Sequence, residues 1–131
     1  MGAQLELERP AIVALGLVLA CAAPHAAAQD WVNYGESEVG VHYYDPTSIR
    51  AEGDRKRVWR LIDRRSQVGN GIKSGKALIE IDCKAGKYRY LKTLQYSGTM
   101  GQGTYLGGGE EQAAEFVAPG TMIGHLAKLV C

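Results

Sequence analysis

Ala77-Leu78-Ile79-Glu80-Ile81-Asp82-Cys83, the break Lys84-Ala85-Gly86-Lys87, and Tyr88-Arg89-Tyr90-Leu91-Lys92-Thr93-Leu94-Gln95-Tyr96-Ser97 form the stretch on which the fold turns. Its first segment alternates. Ala77, Ile79, Ile81 and Cys83 share one face of a strand, and Leu78, Glu80 and Asp82 take the other. The glycine-bearing break then reverses the chain. The second segment is rich in tyrosine, and alternation predicts Tyr88, Tyr90, Lys92, Leu94 and Tyr96 on one face.

Working outward, Val68-Gly69-Asn70-Gly71-Ile72 contains Asn-Gly, a strong hairpin signal. It joins the first segment to Arg57–Ser66 (RVWRLIDRRS), which reads as a long strand with Val58 and Ile62 on one side and Trp59 and Leu61 on the other. Val39–Tyr44 is a further strand, ended by the turn Asp45-Pro46-Thr47-Ser48, where proline lacks a donor and aspartate bonds its own backbone. Ala51-Glu52-Gly53-Asp54 reads as a second turn, and Thr104–Leu106 as a short strand within a glycine-rich run. The period then changes. After Pro119-Gly120, Thr121 suits a helix N-cap, and Met122, Leu126, Leu129 and Val130 recur at helical spacing. The expected fold class is α+β: a mostly antiparallel sheet with a short C-terminal helix.

The 131 residues suit one domain. Ala11–Ala23 is an uncharged apolar run, too short to span a bilayer comfortably, followed by Ala26-Ala27-Ala28. Residues 1–28 therefore read as a signal peptide, leaving 29–131 as the mature domain. Glu6 and Glu8 outnumber Arg9 where a positive segment is usual. Val18-Leu19-Ala20-Cys21 supplies an alternative: lipidation of Cys21, the one route by which this reading brings the protein to a membrane. Either route leaves Cys83 and Cys131. In an oxidising compartment two cysteines allow a single pairing, which would tether the helix to the sheet. Closing such a loop contributes about 4 kcal/mol on the chain-entropy model.

Residues 29–131 hold 14 of the 15 lysines and arginines and 12 of the 14 aspartates and glutamates. That near balance argues against a nucleic-acid binder. Catalytic patterns fail in turn. Gly69–Ala77 (GNGIKSGKA) lacks the first glycine and the magnesium-binding hydroxyl of a phosphate loop and precedes a strand. Gly101-Gln102-Gly103 has Leu106 where a dinucleotide loop needs its third glycine. Ser97, His42 and Asp82 form a hydrolytic set only on paper. Glu80 and Asp82, ~7 Å apart along a strand, suit cross-strand ion pairing better than acid–base work. No metal knuckle is present in the cysteine spacing, and no cofactor is expected. Tyr43, Tyr44, Tyr88, Tyr90 and Tyr96, with His42, admit a haem or aromatic-ligand platform, though packing explains such tyrosines more simply.

Arg55, Lys56, Arg57 and Arg60 form the dense basic segment, continued by Arg64 and Arg65. It reads either as a solvated strand face protecting a sheet edge or as a patch for an anionic partner. On these residues the chain resembles the surface-adhesin protein E family of Gram-negative bacteria. The likeness rests on Tyr43–Ile49, Val58-Trp59-Arg60-Leu61, Ser74-Gly75-Lys76, Glu80-Ile81-Asp82-Cys83, Lys87-Tyr88-Arg89, Tyr96–Gly101, Pro119-Gly120-Thr121 and Cys131. The resemblance implies a small antiparallel sheet with a disulfide-held C-terminal helix in a protein of the periplasm or outer-membrane surface, with a host or matrix protein as partner, and it admits a homodimer. With the catalytic patterns failing, the chain reads as a non-catalytic binding module, and the basic segment adds an anionic glycan to its expected partners. The alternative is a periplasmic carrier of haem or another aromatic ligand.

Overall fold

The computed structural model describes Gly16 and residues 29–131; the export segment and Cys21 lie outside the described residues. The described chain forms β1 (Val32–Glu36), β2 (Gly40–Tyr44), β3 (Arg50–Glu52), β4 (Arg55–Val68), β5 (Ile72–Asp82), β6 (Lys87–Tyr96), β7 (Tyr105–Gly109), β8 (Glu115–Phe116) and α1 (Met122–Val130). All pairings are antiparallel, in the order β1-β2-β4-β5-β6-β7, with β3 beside β4 and β8 beside β6. The expected α+β class is what the chain adopts. The basic segment does not protect an edge, because β4 is interior, flanked by β2, β3 and β5.

The alternation in β5 builds the core. Ala77, Ile79 and Ile81 are buried against Val58 of β4 and Leu126 and Val130 of α1, with Cys83 packed beside them. The helix begins where expected: Thr121 Oγ1 accepts from Gly124 N at 3.1 Å, satisfying one orphan donor. Lys128 lies in the last turn, where a cation suits the helix dipole. Leu129, expected in the apolar stripe, is exposed instead; it is turned away from the sheet that holds Leu126 and Val130. Cys83 and Cys131 are bonded, with Cα atoms 5.8 Å apart.

Two departures from simple alternation matter. In the β5–β6 pair, Ile79 faces Tyr90 while Leu78 faces Lys92, so Leu91 is an extra residue, a β-bulge. The bulge splits the expected tyrosine face. Tyr88 and Tyr90 pack on the helix side, whereas Tyr96 stacks with Tyr105 and Lys76 on the other side. The second departure is the β1 strand, together with β3 and β8, which the sequence pattern missed. Ala51 and Glu52 were expected in a turn and instead pair with Lys56 and Arg55. β1 (VNYGE) is interrupted by a register shift at Asn33/Gly35, and Gly35 has φ +150°. A Cβ there would lie 3.0 Å from Met122 Cε, so glycine lets the helix start approach this strand.

The sheet's second face is covered by the glycine-rich segment. Ser74 Oγ donates to Gly98 O at 2.6 Å and accepts from Gly101 N at 2.8 Å, pinning that segment over buried Leu61. Gly101 has φ +72°, and a Cβ on it would collide with Lys76 Cε.

Candidate functional site

Period-2 geometry sends neighbours in the basic segment to opposite faces. Arg55 and Arg57 point away from the helix. The cross-strand register lines up Arg57, Glu80 and Arg89 over β4, β5 and β6. Glu80, 5% exposed, becomes a hub: Arg57 Nε donates to Oε2 at 3.1 Å, Arg89 Nε donates to Oε1 at 3.0 Å, and Arg55 Nη1 lies 3.6 Å from Oε1. Arg89 also pairs with Glu111, and Arg55 Nε lies 3.8 Å from Asp82 Oδ2. Arg55, Glu80, Asp82, Lys87 and Arg89 line an open cleft of ≈ 340 Å³. The expected cross-strand ion pairing is therefore present. Burial alone would raise the Glu80 pKa, but the hydrogen bonds from Arg57 and Arg89 outweigh it and hold the carboxyl below its ordinary range. A carboxyl so held is ionised near neutral pH and poorly suited to give a proton.

Lys56 and Arg60 lie on the helix side. Lys56 Nζ donates to Val130 O at 2.8 Å, placing a cation on the negative end of α1. Arg60 sits 5.3 Å from the Tyr90 ring centroid and donates from Nη1 to Tyr90 Oη at 3.2 Å. The four named cations thus form two sets: Arg55 and Arg57 on one face, Lys56 and Arg60 on the other.

Ser97, His42 and Asp82 are not brought together. Ser97 Oγ accepts from Thr104 N at 2.8 Å in the glycine-rich segment. Asp82 Oδ1 accepts from Lys84 N and Ala85 N, capping the β5–β6 turn. His42 is 5% exposed on the helix side, with Nε2 in a 2.7 Å hydrogen bond to Ser37 Oγ. The tyrosines pack edge to face. Tyr34 meets His42, Tyr44 and His125 at 5.7–5.9 Å between centroids, and Tyr88 meets Tyr90 at 5.8 Å. Tyr43 pairs with Asn33 and Leu61 on the opposite face. Burial pushes the Tyr34 hydroxyl up to about 12. The phosphate-loop lookalike is the β4–β5 hairpin, and its Lys76 lies over the rings of Trp31 and Tyr96. Among the described residues, no three His, Cys, Asp or Glu side chains are grouped to hold a metal ion, and no helix is long and apolar enough to cross a membrane.

The sequence did not reveal Tyr34, the centre of the aromatic cluster, or the role of Arg89; Arg64 was legible only as a member of the basic segment. Tyr34 sits in a strand whose composition hides it. Arg89 gains its role from lateral register with Glu80, which no local pattern carries.

These groups set the acid response. Burial, then the guanidinium groups of Arg60 and Arg64, push the His42 pKa below its ordinary 6.5. Protons are then taken up more readily by the unfolded chain, so this stabilisation is complete above pH 6.5 and is lost as pH falls below it. Glu80 acts in the same direction lower down: its contribution is complete above 4.5 and is lost as pH falls further. Urea midpoints measured against pH should decline in these two windows, and His42→Gln should flatten the upper one. A midpoint that rises on acidification through both windows contradicts the assignment.

A family model described as surface-adhesin protein E matches residues 31–131. Among solved structures, the second crystal form of Haemophilus influenzae protein E superposes with a TM-score of 0.60 at 13% identity, covering 76% of this chain and 95% of that one. The selenomethionine form of the same protein gives 0.58 at 15% identity, covering 78% and 92%. At such identity the likeness is one of fold. Comparison with curated protein sequences gives no match.

Proposed function

The chain belongs to the surface-adhesin protein E family, and from that premise we propose that it is an exported, non-catalytic binding module of the bacterial envelope that engages a host or matrix protein or an anionic glycan. The observation that carries this reading is the extent of the match, which spans the folded domain from Trp31 to Cys131. The disulfide supports export, since such bonds persist in oxidising compartments. In this reading residues 1–28 are removed, or Cys21 is acylated. The partner-facing cations are those on the face away from the helix, chiefly Arg55, whose side chain is 57% exposed.

The test uses cells carrying the full chain and cells lacking it. Added protease should cleave the protein on intact cells, and those cells should adhere better to immobilised matrix protein or heparin. Arg55→Gln should weaken that binding several-fold and flatten its salt dependence, because fewer charges are engaged. Stability should hardly change, as exposed ion pairs contribute about 0–1 kcal/mol. Protein shielded from protease in intact cells, with no gain in adhesion, overturns the surface reading. A Soret band on haem addition that His42→Gln abolishes would move the assignment to the periplasmic carrier.

A further inference from the structure

The helix-bearing face of the sheet extends past α1 toward the Gly69–Gly71 hairpin. Its floor there is made of small residues. Arg60 pairs with Ala77 and Ile62 with Gly75, and Ala77 pairs in turn with Thr93. Arg60, Arg64, Thr93 and Gln95 contribute to the wall of a cavity of ≈ 90 Å³ over this floor. A Cβ on Gly75 would meet only Leu94 O, at 3.6 Å, so the space above it is open.

Arg60 and Arg64 both line this cavity, and their situation differs from that of Arg55, Arg57, Arg65 and Arg89. Arg55, Arg57, Arg65 and Arg89 each have a carboxylate partner. Among the described residues, Arg60 and Arg64 form no ion pair, and Arg60 spends one donor on Tyr90 Oη. The Nε atoms of both are shielded from solvent and lack an acceptor. Each guanidinium is a planar fork with five donors. A buried donor left without an acceptor costs about 1–3 kcal/mol, and more when it is charged. These Nε donors face no water-sized space, so the Nη donors are the ones left to meet a ligand, and two forks without a carboxylate partner on the wall of one cavity call for an anionic acceptor.

We propose that this cavity is an oxyanion site, in which Arg60 and Arg64 hold one sulfate, phosphate or carboxylate group. Thr93 Oγ1 accepts from Gly109 N, which leaves its hydroxyl proton free to donate to the anion. Gln95 adds amide donors. A water molecule occupies ~30 Å³ of liquid, so the cavity takes a group of a few heavy atoms. The inference does not depend on the adhesin reading, since a free ion and the charged group of a glycan present the same oxygens.

The test is a titration of the oxidised protein, purified from its native envelope, with sodium sulfate against sodium chloride at matched ionic strength, read at the arginine Nε–H resonances. Those of Arg60 and Arg64 should move and saturate. Arg60→Gln and Arg64→Gln should each weaken binding about tenfold or more, in line with a lost charge-assisted bond. Arg60→Lys should restore only part of it, because lysine lacks the fork. Lys92→Gln, exposed on the opposite face of β6, should leave it unchanged. Gly75→Ala keeps both arginines and the fold, adds one methyl group to the cavity, and should also weaken binding. A heparin disaccharide binding at least tenfold tighter than inorganic sulfate identifies a sulfated glycan as the source; equal affinities identify the free ion. Shifts that fail to saturate, or that persist unchanged in Arg60→Gln, Arg64→Gln and Gly75→Ala, overturn the proposal.

Discussion

Cys131→Ser is expected to destabilise the domain by roughly 2–5 kcal/mol, as loss of a native disulfide does in small exported domains. For a domain of this size each kcal/mol is about 4–8 °C in Tm, so the effect is large. The reason lies in the helix. α1 has nine residues, too few to persist alone, and only Leu126 and Val130 are its deeply buried apolar anchors. The Cys83–Cys131 bond holds its last turn against β5, next to the Lys56 contact with Val130 O. Hydrogen exchange in Cys131→Ser should therefore rise first in residues 122–130, and Cys83 should become open to thiol labelling. An unchanged Tm, or loss of protection starting in β4 or β5, contradicts this account.

Leu126→Ala carries the second large effect. Leu126 is fully buried among Val58, Ile79 and Ile81. Truncating such a side chain costs about 2–5 kcal/mol through lost burial and the residual cavity. Leu129→Ala, one turn further round and exposed, should stay within about 0.5 kcal/mol of the parent. Because Leu126 and the disulfide hold the same helix, their effects should not add. Once Cys131→Ser has loosened α1, removing Leu126 should cost less than it does in the oxidised parent. Denaturant midpoints of the two single variants and the double variant give the coupling, and strict additivity would show that the helix is held by each independently.

Those two effects trace to parts of the fold that were legible in the residues. Alternation at Ala77, Ile79, Ile81 and Cys83 marked the core face, helical spacing at Met122, Leu126 and Val130 marked its partner, and cysteine parity joined them. Asn70-Gly71 marked the central hairpin, and Asp45-Pro46 the turn after β2. What could not be read was lateral. Period 2 assigns a face but says nothing about which residue on the next strand lies opposite, so the alignment of Arg57, Glu80 and Arg89 was invisible. The bulge at Leu91 reversed the face of every later residue in β6, and no composition signal announces one extra residue in a strand of high propensity. β1 was hidden by Asn33 and Gly35, residues that disfavour strands in isolation and are tolerated here because β2 and Met122 hold them. The basic segment looked like a single patch because its charges are adjacent in sequence. The strand separates them, and the oxyanion cavity emerges only when Arg60 and Arg64 are seen over the small residues of β5 and β6.

The central claim joins export to a disulfide-closed binding domain, and intact mass of the protein taken from its native envelope, before and after reduction, tests it most directly. The account predicts a chain beginning at or near Gln29, or one acylated at Cys21, that gains a pair of hydrogens on reduction. A chain that retains Met1–Ala28 and carries free thiols at Cys83 and Cys131 would contradict it.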